Sequence, residues 1–206
     1  MSTNLSIDSR LILRPLDSTR VNDMVSINSV VLPVSYHSKV YDQMVSDQLS
    51  FIAYVSHGQD KEMPVGAIGC ILKTDIHASP DHVGLCIASL AVLAKYRSKG
   101  IGAKLLDCVM QALDELLKSS LHHSEASLTS QTCLLENSSN DEKQSPSSLL
   151  SSAPSEFIVY LQTQTNNRDA IKFYERHGFS VLKKVENFYK RLTPPDCFVL
   201  VKKILQ

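Results

Sequence analysis

The sequence contains no tryptophan, and aromatic residues make up only 6% of the chain. It also has no excess of charge of either sign, since 21 Lys and Arg residues balance 21 Asp and Glu residues. Proteins that bind nucleic acids through their phosphates usually carry a basic excess, so we expect no direct, sequence-specific binding of nucleic acid. The balance equally argues against an acidic tail protein.

Long apolar runs are missing as well. A helix that spans a membrane needs about 20 consecutive apolar residues, and the longest apolar-rich run, from Gly84 to Ala94, is interrupted by Ser89. The segment from Met1 to Arg10 is polar and has no apolar centre of the kind that a secretory signal peptide requires. We therefore expect no membrane contact and a cytoplasmic location, with the nucleus as a second compartment.

The cysteines are odd in number and scattered, and no two of them form a C-x-x-C pair. This pattern is typical of reduced thiols in an intracellular protein, and it predicts neither a disulfide framework nor a metal site. The five cysteines are Cys70, Cys86, Cys108, Cys133 and Cys197.

A chain of 206 residues suits one domain, and we interpret residues 1–206 as a single domain. One segment, 119–155, is rich in serine and contains no Phe, Tyr or Trp. Such a segment cannot bury enough apolar surface to offset the entropy lost on ordering. We therefore predict that 119–155 is a disordered insertion.

Strand patterns and helix patterns alternate along the rest of the chain. The clearest helix is Gly100 to Lys118, because its apolar residues recur on one stripe. The order of elements predicts an α+β, or mixed α/β, fold around one sheet. The predicted strands are 10–16, 49–55, 65–73, 83–92, 156–162, 179–185 and 197–202, and the other predicted helices are 18–29, 38–48 and 167–177.

A glycine-containing turn, Arg97-Ser98-Lys99-Gly100-Ile101-Gly102, leads from a predicted strand into the clearest helix. Glycine lets the backbone approach a ligand closely, and a helix N-terminus offers free N–H groups to an anion such as a pyrophosphate. The spacing matches neither a P-loop nor the G-x-G-x-x-G of a dinucleotide fold, since position 105 is Leu. A strand–helix connection without a ligand remains the alternative reading of this motif alone.

At this turn the sequence resembles the GNAT N-acetyltransferases, whose Arg-x-x-Gly-x-Gly loop binds the pyrophosphate of acetyl-CoA. A second match is Asn167-x-x-Ala170-x-x-Phe173-Tyr174-x-x-x-Gly178-Phe179, and the two motifs follow in the family's order. The resemblance implies acetyl-CoA as cosubstrate, no metal, and a central, mostly antiparallel sheet of about seven strands flanked by about four helices. The cofactor-binding residues that it implies are Leu90, Val92, Arg97, Ser98, Lys99, Gly100, Ile101, Gly102, Ala103, Asn167, Ala170, Phe173, Tyr174 and Arg176.

Two further stretches resemble the NatE type of N-terminal acetyltransferase, in which two loops form a slot for a peptide that usually begins with Met. They are the run from Leu32 to Tyr36 and the run from Asn187 to Asp196. The resemblance implies nascent polypeptide N-termini as substrates. As partners it implies the NatA complex, with its large helical-repeat subunit and its own catalytic subunit, and through that complex the ribosome. The substrate-binding residues that it implies are Leu32, Pro33, Val34, Tyr36, Ala88, Phe188, Tyr189 and Leu192.

The sequence departs from that family at the two positions that carry its proton-removing pair. The family has a tyrosine where this chain has Cys86 and a histidine where it has Gln162. A neutral amide cannot act as a base, and a thiol on an apolar strand is expected to have a raised pKa. By resemblance, backbone N–H groups around Leu90 would stabilise the developing oxyanion. His37 and His82 are candidates for a substitute base, although both also read as surface histidines.

These observations leave three hypotheses about function. The first is an active N-terminal acetyltransferase. An α-amine needs only a weak base for deprotonation, because its pKa is about 7.7–8.0. The second is a catalytically weak or inactive accessory subunit of the NatA complex that keeps the fold. The third, disfavoured by the peptide-slot residues, is an acetyltransferase for another amine such as a lysine side chain.

Overall fold

The computed structural model describes residues 10–56, 62–73, 83–127 and 157–204. Within these residues the elements follow the predicted order of strands and helices. The strands are β1 (Leu11–Pro15), β2 (Phe51–Ser56), β3 (Glu62–Lys73), β4 (Val83–Val92), β5 (Phe157–Gln164), β6 (Ser180–Val185) and β7 (Cys197–Ile204). The helices are α1 (Val21–Val31), α2 (Ser38–Asp47), α3 (Ile101–Ser127) and α4 (Arg168–Arg176), and a short 3-10 turn, Ala94–Tyr96, precedes α3.

The strands form one seven-stranded sheet in the order β1-β2-β3-β4-β5-β7-β6. Neighbouring strands run antiparallel except β4 and β5, which are parallel. The parallel register pairs Val83 with Phe157 and ends at the pair of Cys86 and Tyr160. Beyond that pair the two strands separate, so the sheet opens at the carboxyl ends of β4 and β5.

Helices cover both faces of the sheet. Along β2, Ala53 and Val55 face one hydrophobic cluster, while Ile52 and Tyr54 face another, as the alternation of side chains in a strand requires. The first cluster contains the buried stripe of α3, including Val109, together with α4 residues. The second contains the buried residues of α1 and α2. The fold is therefore the expected α+β sandwich of helices around one sheet.

A buried polar contact ties α1 and α2 to β4. The Asn28 side-chain amide nitrogen lies 3.4 Å from the Ser89 hydroxyl and 3.4 Å from the Tyr41 hydroxyl. Asn28 is only 1% exposed, so this contact fixes α1 in a dry environment. It thereby holds the loop between α1 and α2 over the middle of β4.

Two helix boundaries differ from the predictions by more than two residues. Helix α1 begins at Val21 rather than Ser18, because the Asp17 carboxylate accepts bonds from Thr19 N and Arg20 N and closes a turn before the helix. Helix α3 continues to Ser127, so the predicted insertion 119–155 begins too early. No Gly or Pro interrupts residues 119–127, and a helix already formed extends through such residues easily. The rest of the predicted insertion lies outside the described residues.

Candidate active site

A cavity of about 340 Å³ lies where β4 and β5 separate. Its walls come from both faces of the sheet: α4 lines one side, and the α1–α2 and β6–β7 loops line the other. The cavity therefore passes between the two strands and connects one face with the other. The residues that line it are Leu32, Pro33, Val34, Tyr36, Cys86, Ile87, Ala88, Ser89, Leu90, Leu161, Gln162, Thr163, Gln164, Asn167, Ala170, Tyr174, Phe188, Tyr189 and Leu192.

The separated half of β4 presents a backbone edge to the cavity. The Tyr36 hydroxyl donates a hydrogen bond to the Ala88 carbonyl, and Arg97 Nε donates one to the Val92 carbonyl at 3.0 Å. Backbone groups of residues two apart in a strand point to the same edge. Leu90 lies between these two anchored carbonyls, so its N–H and C=O face the gap, where a ligand with amide groups can bind as an added strand does.

The turn before α3 has the geometry of an anion site. Ser98 and Gly100 both have positive φ angles, of 58° and 77°. The first intrahelical bond runs from Lys104 N to Gly100 O at 3.0 Å, so the N–H groups of the preceding first turn have no helical partner. A side chain at Gly100 would meet no atom within 4 Å, which leaves open space over these N–H groups. Open space beside unpaired N–H groups leaves room for an anion such as a pyrophosphate.

Other residues predicted to bind the cosubstrate differ in exposure and position. Lys99 is exposed, with Nζ 5.6 Å from the centre of the Tyr96 ring. Ile101 is 1% exposed and belongs to the core, so only its backbone can reach a ligand. Arg176 is exposed at the end of α4, where its Nε donates to Lys172 O, and it does not line the cavity. Ala103 is half-buried in the first turn of α3.

Helix α4 brings its N-terminus to the cavity. Asn167 is the N-cap, and its side-chain oxygen accepts a bond from Ala170 N at 3.2 Å. Tyr174, one turn further on, is buried, and burial raises the pKa of its hydroxyl. A methyl group at Gly102 would lie 3.6 Å from the Phe173 ring, so α4 and the turn before α3 lie side by side.

Two loops form the opposite wall, where the sequence predicted a peptide slot. Tyr36 packs edge-to-face on Tyr41, with the ring centres 6.2 Å apart, and Phe188 packs on Tyr189 in the same way at 4.9 Å. The Tyr189 hydroxyl donates to the Gln162 carbonyl at 3.3 Å, and burial raises its pKa to about 12. All eight predicted substrate-binding residues line the cavity.

Hydrogen bonds and an ion pair hold the β6–β7 loop in place. Gln164 Nε2 donates to the Pro194 carbonyl at 2.8 Å, and Tyr189 N donates to the Pro195 carbonyl at 2.8 Å. The Asp196 carboxylate accepts from Asn187 N and pairs with Lys184 at 2.7 Å, which lowers the pKa of that carboxyl. These bonds give the slot a fixed rim.

Cys86 and Gln162 meet at the centre of the cavity. The Cys86 thiol points to Gln162 Oε1 at 3.9 Å. Burial raises the pKa of the thiol, against the opposing effect of a hydrogen bond with Tyr160. His37 is exposed, with its ring nitrogen 3.4 Å from Lys39 N as the N-cap of α2, and it does not line the cavity. His82 lies outside the described residues.

The cavity also contains residues that the sequence interpretation missed. Ile87, Ser89, Leu161, Thr163 and Gln164 line it because β4 and β5 separate there. A signal was present for one of them, since Gln162 and Gln164 are polar residues two apart in an otherwise apolar strand and therefore share a face.

Among the described residues, no group of three or more His, Cys, Asp or Glu side chains could hold a metal ion. No helix in the described part of the chain is both long enough and apolar enough to cross a membrane.

Residues 47–181 match the acetyltransferase (GNAT) domain family. The chain belongs to this family of acetyl-CoA-dependent N-acetyltransferases. Within the family it is similar to N-alpha-acetyltransferase 50 of Danio rerio, with 26% identity over 95% of this chain and 89% of the relative. It is also similar to the probable N-acetyltransferase san of Drosophila melanogaster, with 27% identity over 88% of this chain and 74% of the relative.

A solved structure agrees with these similarities. Naa50 of Arabidopsis thaliana, in complex with the bisubstrate analogue CoA-Ac-MVNAL, superimposes with a TM-score of 0.65 at 26% identity. The superposition covers 95% of this chain and 99% of that chain.

Proposed function

We propose that this protein transfers the acetyl group of acetyl-CoA to the α-amine of peptides that begin with Met. The observation that carries the proposal is the cavity through the sheet, which joins the open edge of β4 and the N-terminus of α4 to an apolar peptide slot. The peptide part of the analogue held by the similar Arabidopsis protein also begins with Met. A methionine side chain suits a slot lined by Pro33, Val34 and Phe188.

The residues around the cavity would have different roles in the reaction. The turn at Gly100 would hold the pyrophosphate, and the open backbone edge at Leu90 would align the rest of the cosubstrate. A backbone N–H on the same edge would stabilise negative charge on the acetyl oxygen as the bond forms. Tyr36 and Tyr189 would keep the peptide in line through their hydroxyls and rings. Acetyl-CoA supplies a thioester that is activated towards amines.

For the setting of the reaction, we propose the cytoplasm, on nascent polypeptides, as a NatE-type subunit associated with the NatA complex and through it with the ribosome. The similarity to N-alpha-acetyltransferase 50 over most of both chains supports this assignment. A pull-down of NatA subunits from cytoplasmic ribosomes with the full chain tests this assignment. A failure to co-purify would contradict the association but would leave the proposed acetyl-transfer activity standing.

A second function is favoured by one observation, the contact of Cys86 with Gln162 where the family has a tyrosine and a histidine. General acids and bases contribute roughly 10²–10⁴-fold to rates. A chain without both is suited to an accessory role, in which it binds acetyl-CoA and partner proteins but turns over slowly.

The test is acetyl transfer to a Met-Leu peptide, followed by coenzyme A release, with the NatA complex absent and then present. A peptide whose α-amine is already acetylated but which carries a free lysine serves as the matched control. We expect release with the free α-amine and none with the blocked peptide. Release from the blocked peptide would show a lysine acetyltransferase, and no release from either, with coenzyme A still bound, would leave the accessory role.

A further inference from the structure

The interior of the cavity is electrically neutral. Among the described residues that line it there is no Asp, Glu, His, Lys or Arg. The titratable groups in its walls are a thiol and three phenols, contributed by different elements: Cys86 from β4, Tyr36 from the α1–α2 loop, Tyr174 from α4 and Tyr189 from the β6–β7 loop. Burial raises the pKa of every one of them, so each is neutral near pH 7.

Charged groups lie around the cavity, not in it. Lys73, at the exposed end of β3, is close enough to lower the pKa of Cys86 slightly against the larger effect of burial. His37 is exposed beside Tyr36, and Lys190 and Arg191 are exposed beside Tyr189. The two carboxylates of the β6–β7 loop, Glu186 and Asp196, lie 3.8 Å and 2.7 Å from Lys184 Nζ. None of these groups gives the cavity an anion that could face an ammonium.

We propose that the cavity admits the peptide only as its neutral α-amine, and that none of the described side chains removes the proton. This inference rests on the proposed function and deepens it. An ammonium that enters such a site loses its hydration and gains no counter-charge, which is costly. The α-amine, with a pKa of about 7.7–8.0, releases its proton to water at little cost before it enters.

The transfer then balances without an enzyme base. The nitrogen lone pair forms a bond to the acetyl carbon, the carbon–sulfur bond breaks, and the proton that the nitrogen must lose is taken up by the departing sulfur as coenzyme A. Gln162 is a positioning residue in this scheme, because it lines the cavity and its Oε1 can accept an N–H of the amine. The Cys86 thiol, 3.9 Å from the same oxygen, fixes the orientation of that amide.

Calorimetry tests the inference without any turnover. The full chain, loaded with coenzyme A, is titrated with a Met-Leu peptide about two pH units below the pKa of the peptide amine. The titration is repeated in two buffers that differ in ionisation enthalpy. We expect release of about one proton for each peptide bound, because the ammonium must deprotonate to enter. Binding without proton release would overturn the inference but leave the proposed function standing. No binding even at a pH equal to the amine pKa, where half of the peptide is already neutral, would overturn both.

Kinetics supply a second, independent readout. Two peptides are compared that begin with norleucine and with 3,3-difluoronorleucine, since the fluorines lower the pKa of the amine and barely change its shape. We expect kcat to be flat with pH, and kcat/KM to fall tenfold per pH unit below a midpoint that moves with the amine pKa. A midpoint common to both peptides, or a hundredfold fall per pH unit, would reveal an enzyme base and overturn the inference.

Discussion

Gly100 combines two properties that a mutation can separate. Its φ of 77° favours glycine, while the space above it is open to a ligand. We expect Gly100→Ala to cost about 1–2 kcal/mol of stability through strain, with a modest loss of coenzyme A affinity. Gly100→Glu should abolish binding, because its carboxylate would face the pyrophosphate. Calorimetry with coenzyme A and thermal unfolding measure the two effects.

Gly178 provides the matched control for that experiment. It has a similar φ of 83° at the end of α4, and a Cβ there would lie 3.6 Å from the Lys202 side chain. Gly178→Ala should therefore destabilise the fold by strain and leave coenzyme A affinity unchanged. Equal affinity losses at both glycines would mean that Gly100 acts only through stability.

Gln162 is the position at which a base can be restored. We expect Gln162→His to place an imidazole in the cavity and to give kcat an acid limb near the ordinary histidine pKa of about 6.5, since the protonated ring cannot accept a proton. Gln162→Asn, which adds no titratable group, is the control and should keep kcat flat. A flat kcat in the histidine variant, with the ring titrating by NMR, would show that the ring does not reach the amine.

At this scale the sequence predicts residues well where a backbone requirement fixes the residue type. Gly100, Asn167 and Gly178 could be assigned because a positive φ or a helix cap admits few alternatives. The contact of Cys86 with Gln162 depends on the register of β4 and β5 and on where they part, which no local pattern encodes. For the same reason, the burial of the Ile101 side chain could not be read from its place in the loop motif.

The side chain of Asn167 has two roles at the start of α4. Asn167 caps the helix through Ala170 N and also lines the cavity. We expect Asn167→Ala to lose about 1 kcal/mol of stability together with coenzyme A affinity. Asn167→Ser keeps a capping oxygen but is shorter, so it should keep stability and lose affinity. Unfolding and calorimetry on both variants check this, and parallel losses in the two would refute a separate ligand contact.

Asp47 joins α2 to β3 from a buried position. Its carboxylate accepts from Leu72 N at 2.8 Å and from Gln43 Nε2 at 2.7 Å. Burial is nevertheless the larger effect and raises its pKa above the ordinary value of 3.8. A carboxyl whose pKa is higher in the folded state binds its proton more tightly there, so folding is favoured as pH falls towards 3.8. The stability of the protein relative to Asp47→Asn should therefore rise between neutral pH and pH 4, as measured by urea unfolding. A relative loss over that range would show that the hydrogen bonds outweigh burial.

Elements are predicted from their interiors better than from their ends. The stripe of α3 and the alternation of β2 follow from helix and strand periods. The start of α1 was misplaced because Asp17 is a good cap but closes an earlier turn with Thr19 and Arg20. The end of α3 was misplaced because serine-rich composition usually indicates a loop. A stable helix that precedes such residues can nevertheless extend through them.

The whole molecule consists of two parts of one sheet that meet at β4 and β5. The proposed cosubstrate site draws on both, since Gly100 and Leu90 belong to the first part and Asn167 to the second. A ligand that contacts both parts should stabilise the fold by mass action, by about 2.7 kcal/mol at one hundred times its Kd. We expect the Tm to rise with coenzyme A concentration and the Gly100→Glu variant to show no rise. A rise in that variant would place the ligand elsewhere.

The opening through the sheet has a consequence for the order of events. In the proposed function, cosubstrate and peptide approach from opposite sides, so neither blocks the entrance of the other, and both can be present at once. The acetyl group then passes directly from one to the other, and initial-rate plots against the two concentrations should intersect. Each product can likewise depart on the side from which its precursor came, which leaves the second entrance free for the next peptide while coenzyme A is still leaving.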